Sequence, residues 1–274
     1  MSFDLGPALL FCPADRPERY EKALAAADAV ILDLEDAVAP ANRPAARAAL
    51  GASGLDPARV IVRINELGSP DAEADLDALR GTAYRTIMVP KAGPDLVVPE
   101  GFEVIALCES AAGVVAAPQL ATRAIALMWG AEDLIASLGG TSSRRADGGY
   151  RDVARTARTT VLLAAAAAGI PAIDTVHLDI ADLEGLRAEA EDAAASGFAA
   201  TACIHPSHAP VIRAAYAPTA DQVDWARRVL AAAAENGGVF RLDGAMVDGP
   251  VLRHAEAVLR RAAPGAEGAI SPRG

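Results

Sequence analysis

The sequence predicts an α/β fold, a (β/α)8 TIM barrel with a C-terminal extension. Three observations predict it. Eight short apolar runs recur along the chain, and helix-like segments separate most of them, the alternation that builds a parallel sheet. Most runs are continuous rather than alternating, as in strands covered on both faces. Nearly every run also ends, on its C-terminal side, in a polar or charged residue, and active sites of such barrels lie at that face. The chain has 274 residues, close to the roughly 250 of such a barrel. An open doubly wound sheet is the alternative, but no GxGxxG or P-loop supports nucleotide binding.

The eight runs are residues 8–12, 29–35, 60–65, 86–90, 104–109, 124–130, 172–178 and 201–205. The first leads into Pro13, Asp15 and Arg16, and the second closes on Asp33, Glu35 and Asp36. The third carries Arg63 and Asn65, and the fourth runs into Lys91. The fifth ends at Glu109, and the sixth leads into Glu132 and Asp133. Asp174 and Asp179 mark the seventh and His205 the eighth. Helical segments between them include RPERYEKALAAA, AAGVVAAPQLA, YRDVARTARTTVLLAAAAAG and DLEGLRAEAEDAAASG. After the sixth strand, GGTSSRRADGGYRD reads as a mobile loop at the functional rim, from its Gly, Ser and paired Arg. Beyond strand eight the sequence predicts a helix over 221–234, a turn at Asp243-Gly244 and a helix over 250–261. The expected organisation is a barrel over 1–234, an extension or lid over 235–263 and a disordered tail over 264–274.

Composition narrows the function. The formal net charge is −11 and no Lys/Arg run exceeds two residues, which argues against nucleic-acid binding. A hydrophobic content of 52% with only 4% aromatics implies a core of Ala, Val, Leu and Ile. Cys12, Cys108 and Cys203 sit in apolar runs without metal spacing, as buried thiols of a reducing compartment do. The N-terminus has no basic n-region, and VLLAAAAAGI is too short to span a bilayer. The expected location is cytoplasmic, without membrane attachment.

Glu109 and Asp133 fall at the same ends of consecutive strands, which lie roughly 4.8 Å apart when paired. Their carboxylates can then reach one small hard cation such as magnesium, which takes one or two carboxylates and fills its other positions with water or substrate. Two solvated loop acids are the competing reading. Arg63 ends a buried strand, where a charge must be paired or functional. It either grips a carboxylate ligand with its planar fork or forms an ion pair with Glu35 or Asp36. Glu35 and Asp36 hold metal-bound waters and orient Arg63, or cap the next helix. Lys91 meets a phosphate or thioester, or pairs with Asp36. Arg16, Arg19 and Lys22 form a basic edge that suits an anionic ligand or is an ordinary solvated helix face; Arg144 and Arg145 are similar. His205 before Pro206 reads better as a structural turn than as a base.

The motifs LFCPADRPERYEKALAAADAVILDLEDAVAP, VRINELGS, MVPKA, ALCESAAGV, MWGAEDL, GIPAIDTVHLDI, ACIHPS and MVDGPVLRHAE together resemble the citrate lyase β-subunit-like family. That family lies within the HpcH/HpaI aldolase superfamily and includes malyl-CoA and citramalyl-CoA lyases. The SSRRADGGYRD loop resembles a stand-alone actinobacterial type described as β-hydroxyacyl-CoA lyases. The resemblance implies a magnesium-dependent barrel, often a homotrimer, that cleaves or forms a short 3-hydroxyacyl-CoA from acetyl-CoA and an oxo acid. It implies Glu109 and Asp133 as metal ligands. Arg63, Glu109, Gly130 and Ala131 would bind substrate, with Arg63 on the carboxylate. Arg63, Glu35, Asp36 and Asp248 make the expected catalytic set, Asp248 acting as acid/base in the neighbouring subunit's site. Asp248 is otherwise a turn residue ahead of the helix at Pro250. Arg16, Lys22 and Lys91 are the expected contacts to coenzyme A. Ser110 stands where threonine is common. The alternatives are a citrate lyase β subunit working on an acyl-carrier-protein thioester within a complex, an aldolase acting on free 2-oxo acids, and a non-catalytic dicarboxylate sensor.

Overall fold

The computed structural model describes residues 5–262. Eight parallel strands close into a barrel: β1 (Ala8–Pro13), β2 (Ala29–Asp33), β3 (Val60–Arg63), β4 (Thr86–Val89), β5 (Glu103–Cys108), β6 (Ala126–Trp129), β7 (Ala172–Asp174) and β8 (Ala200–Cys203). β1 closes the ring on β8, with Leu9 opposite Ala202. Most strands are shorter than the apolar runs suggest. The lost residues are mostly at the C-terminal ends, so Glu35, Asn65 and Gly130 leave the ladder, as Glu109 does just after β5, and become the mouth.

Helices α1 (Tyr20–Ala26), α2 (Arg43–Ala52), α3 (Pro70–Arg80), α4 (Ala111–Val115), α5 (Ala117–Leu120), α6 (Ala131–Ser137), α7 (Asp152–Ala168), α8 (Leu183–Ser196) and α9 (His208–Tyr216) follow their strands. Ser69, Ser110 and Asp182 accept backbone N–H groups at the starts of α3, α4 and α8, which locates those starts. The segment AAGVVAAPQLA, expected as one helix, is split into α4 and α5 at Ala116, with Pro118 in the first turn of α5. α7 buries Ala154, Ala157, Val161, Ala164 and Ala165, an i, i+3, i+4 stripe of small residues, and ends at Gly169 with φ 70°.

The barrel interior is filled by Leu9, Ile31, Ile61, Met88, Ile105, Leu107, Met128 and Ile173 with the small Ala29, Ala126, Ala200 and Ala202. Side chains alternate along a strand. Because Ile31, Ile61 and Leu107 point inward, so do Asp33, Arg63 and Glu109 two residues later. The interior therefore changes from hydrocarbon to charge at its C-terminal end.

The remaining elements are α10 (Ala220–Asn236), β9 (Phe240–Leu242), β10 (Ala245–Val247) and α11 (Gly249–Ala262). The described residues fall into two compact units that part between Arg213 and Ala214, where the sequence reading placed its boundary after residue 234. α10 belongs to the second because Ala226 and Val229 bury against Val247, Ala255 and Val258. β9 and β10 form a hairpin on Asp243-Gly244, both at positive φ, as a two-residue turn of this hand needs. The expected disordered tail lies outside the described residues. No helix among the described residues is long and apolar enough to cross a membrane.

Candidate active site at the barrel mouth

Asp33 and Arg63 are paired residues in the β2–β3 ladder. The Arg63 fork donates from Nε to Asp33 Oδ1 at 2.8 Å and from Nη2 to Oδ2 at 2.6 Å. Backbone N–H groups of Glu35 and Ala37 fill the other acceptor positions of Asp33, at 2.9 and 3.1 Å. Every favourable site on this carboxylate is then used, and it holds the guanidinium still. Burial works against the Arg63 charge, but the bonds to Asp33 more than offset it and raise its pKa further. Phe11 lies under the guanidinium at 5.0 Å.

The expected ion pair of Arg63 with Glu35 or Asp36 forms, and Asp33 is added to it. Glu35 Oε2 is 3.2 Å and Asp36 3.8 Å from Arg63 Nη1, while Asp33, which no sequence reading singled out, takes the fork. The ladder register and inward parity were the signals that could have found it. Asp36 is mostly exposed, and Glu35 is buried. Lys91 is corrected: its Nζ donates to Glu35 Oε1 at 2.8 Å rather than pairing with Asp36. That bond raises the Lys91 pKa, whereas burial raises that of Glu35. Glu35 Oε2 is buried without a hydrogen bond, and Arg63 Nη1 donates none among the described residues. A donor and an acceptor thus stand together at the mouth with capacity to spare.

Glu109 follows β5 and is buried. Its Oε1 accepts the Lys91 backbone N–H at 2.9 Å, Lys91 holding φ at 49° to present it. Burial pushes the Glu109 carboxyl up to about 8; the Lys91 N–H opposes this, and Asp133, then Glu35, add to it. Asp133 lies in the first turn of α6 and is exposed to solvent. Cys108 pairs with Trp129, which sets Glu109 beside Gly130. A side chain on Gly130 would start 2.8 Å from Glu109 Cβ and 3.1 Å from Oε2, so glycine here is a requirement of close approach. Gly130→Ala should cost about 1–3 kcal/mol of stability by overpacking and weaken cation binding by displacing the carboxylate. Thermal melts and magnesium titration check this, and no change in either would show that Glu109 has room to move.

The two carboxylates suit a hard divalent cation. The Asp133 charge acts on Glu109, Glu109 Oε2 accepts no hydrogen bond among the described residues, and the orphaned Glu35 Oε2 can take a hydrogen from a bound water. No group of three or more His, Cys, Asp or Glu suited to a metal occurs among the described residues, so solvent or substrate must complete the coordination.

The other expected residues are dispersed. Ala131 begins α6 beside Gly130. Arg16 and Lys22 are exposed on the first strand–helix segment, Arg16 lying 3.8 Å from Asp15. Arg144 is committed to Glu189 and Tyr150, and Arg145 to Asp152. His205 is exposed and bonds Ser207. Asp174, expected at the rim, faces outward from β7 and is enclosed by Trp129 Nε1 at 2.5 Å and Arg158. Asp248 lies in the second unit, where its backbone and side-chain oxygens accept from Leu252 and Val251 at the start of α11.

A closed barrel with carboxylates and an immobilised guanidinium at the C-terminal ends of its strands defines an enzyme of the (β/α)8 class. Comparison with known proteins narrows this. The model of the HpcH/HpaI aldolase/citrate lyase family matches residues 8–94 and 98–206, and the chain belongs to that family of carbon–carbon lyases. It is 60% identical to a citrate lyase subunit beta-like protein of Mycobacterium tuberculosis over 94% of this chain and 96% of that one. It is 28% identical to the mitochondrial citramalyl-CoA lyase of Rattus norvegicus over 92% of this chain and 84% of that one. The crystal structure of CitE from M. tuberculosis in complex with magnesium, acetoacetate and coenzyme A superposes with a TM-score of 0.90 at 60% identity, covering 94% of this chain and 98% of that one.

Proposed function

We propose that the protein is a magnesium-dependent lyase that cleaves, or in reverse forms, a short 3-hydroxyacyl-CoA such as malyl-CoA, citramalyl-CoA or 3-hydroxy-3-methylglutaryl-CoA. The products are acetyl-CoA and an oxo acid. The observation that carries this reading is the buried Glu109 carboxylate, set between the Lys91 N–H and Asp133 within the field of Arg63. The M. tuberculosis relative, crystallised with magnesium, acetoacetate and coenzyme A, supports it.

Glu109 and Asp133 hold the cation. When bound it acts as a Lewis acid that favours loss of the hydroxyl proton and offsets developing negative charge. Arg63, fixed by Asp33, offers Nη1 to the substrate's free carboxylate and sets its orientation. Glu35, tied by Lys91, keeps Arg63 in register. As the hydroxyl proton leaves to solvent, its oxygen becomes the carbonyl of the oxo acid. The carbon–carbon electron pair moves onto the thioester as an enolate. The pre-aligned Arg63 charge favours this without reorganisation. Asp248, from a neighbouring subunit of a homotrimer, serves as the acid/base that delivers a proton to the enolate carbon. Arg16, Lys22 and Lys91 provide cationic contacts for coenzyme A. A reducing, cytoplasmic setting suits the free, buried Cys12, Cys108 and Cys203, whose pKa values burial pushes up to about 11, 12 and 12.

The purified full chain is expected to release acetyl-CoA from at least one of the three thioesters, to stop on chelation and to restart with magnesium. Turnover only on an acyl-carrier-protein thioester would move the assignment to a citrate lyase β subunit, the reading that the name of the M. tuberculosis relative favours. Cleavage of free oxo acids alone would make it an aldolase. Asp248→Asn should lower kcat by about 10²–10⁴-fold, the usual contribution of general acid–base catalysis, while KM stays within a few-fold. Steady-state kinetics decide it; unchanged kcat assigns the proton transfer elsewhere.

A further inference from the structure

The segment read as a mobile loop is a hydrogen-bonded hairpin. Arg144 and Tyr150 form a bridge, Arg145 N–H donates to Gly149 O at 2.8 Å, and Arg151 N–H donates to Ser143 O at 2.8 Å. Arg144 stacks on the Tyr150 ring at 4.1 Å, donates to its hydroxyl at 2.8 Å and pairs with Glu189 of α8. Glu189 is in turn bonded to His177 Nδ1 at 2.9 Å. The arginines that suggested a ligand-seeking loop instead fasten the hairpin, Arg144 to Glu189 of α8 and Arg145 to Asp152 of α7.

This hairpin grips the β6–α6 turn at two points. The Ser143 hydroxyl, 2% exposed as a residue, donates to Glu132 Oε1 at 2.5 Å. The Tyr150 ring meets Trp129 edge-on at 5.3 Å. These contacts bracket the turn: Trp129 precedes Gly130, which lies against Glu109, and Glu132 precedes Asp133. Trp129 is also pinned from outside by Asp174, which Arg158 holds in place. A solvent-exposed acid in the first turn of a seven-residue helix is poorly constrained by its own helix. A short hydrogen bond from a buried hydroxyl to its neighbour supplies the missing constraint.

We infer that the 141–151 hairpin clamps the β6–α6 turn and that Ser143 and Tyr150 are positioning residues for cation capture by Asp133 and Glu109. The inference rests on the reading of those two acids as ligands. Groups that orient metal ligands typically change affinity by about 10–100-fold.

Titration calorimetry of the full chain with magnesium chloride tests it. Ser143→Ala should raise the magnesium Kd about tenfold with little change in melting temperature. Glu132→Ala, at an exposed position, should do the same. Glu132→Gln keeps an acceptor for the Ser143 hydroxyl and should retain near-native Kd. If Glu132→Gln binds as poorly as Glu132→Ala, Glu132 acts through its charge and the clamp is overturned. A Ser143→Ala Kd within about twofold of the parent also overturns it. Glu109→Ala is titrated alongside. Magnesium binding kept in that variant refutes the ligand reading, whereas binding lost there but native in Ser143→Ala refutes the clamp alone.

Discussion

Glu109→Gln is expected to abolish magnesium-dependent cleavage while leaving the barrel intact. The amide oxygen still accepts the Lys91 N–H, so the local backbone, including Lys91 at φ 49°, keeps its partner. The other arm of the side chain, which in Glu109 lies beside Gly130, becomes an NH2 group that repels a cation. The substitution also removes a carboxylate whose burial is unfavourable, as its elevated pKa records. Stability should therefore hold or rise slightly. Loss of a Lewis acid worth several kcal/mol corresponds to about a 10³-fold fall in kcat/KM at roughly 4 kcal/mol. Calorimetry should show no magnesium binding and thermal melts a native transition. Retained turnover at saturating magnesium would remove Glu109 from the site.

Arg63→Met should damage both the fold and the chemistry. It leaves Asp33, 1% exposed, without the two bonds that balance its charge, and Glu35 without its nearest cation on that side. Removing one partner of a buried pair costs about 3–5 kcal/mol, a fall in melting temperature of roughly 6–15 °C for a chain of this size. Arg63→Lys discriminates between structure and function. A lysine keeps the charge but cannot span both Asp33 oxygens and still present a nitrogen to the mouth. Its stability should recover in part, with substrate KM raised more than tenfold through loss of carboxylate binding. An Arg63→Lys enzyme with native KM would confine Arg63 to the Asp33 pair.

These two residues also divide what was legible in the sequence from what was not. The alternation of apolar runs and helical segments announced the barrel because strands covered on both faces must be continuously apolar. Polar residues at the run ends announced the mouth, since charge is tolerated only where the ladder stops. Glu109, Asp133, Arg63, Glu35 and Lys91 were all marked by this position alone. Their partners were legible only in part: Glu35 and Asp36 were read as partners of Arg63 and lie 3.2 and 3.8 Å from it, but Asp33 was not. Asp33 looked like one acid among three in LEDA and its approach, yet the register opposite Arg63 made it the one that takes the guanidinium. Lys91 looked equally able to reach Asp36, but Asp36 remains exposed and Glu35 is buried beside it.

Asp174 failed in the opposite way: its place at a strand end suggested the rim, but side-chain parity turned it outward to Arg158. Likewise the paired arginines of the 141–151 segment suggested a mobile, ligand-facing loop, although Glu189 and Tyr150, distant or unremarked in sequence, consume Arg144.

The sequence by itself determined the layered α/β barrel and the ends of the strands at which chemistry is possible, because hydrophobic patterning is a local property that each segment carries alone. Tertiary structure decided which charge pairs with which, where the second compact unit begins and what holds the β6–α6 turn. Those outcomes depend on register, parity and the meeting of residues far apart in the chain, and an ionic partner is chosen by distance and burial rather than by residue type.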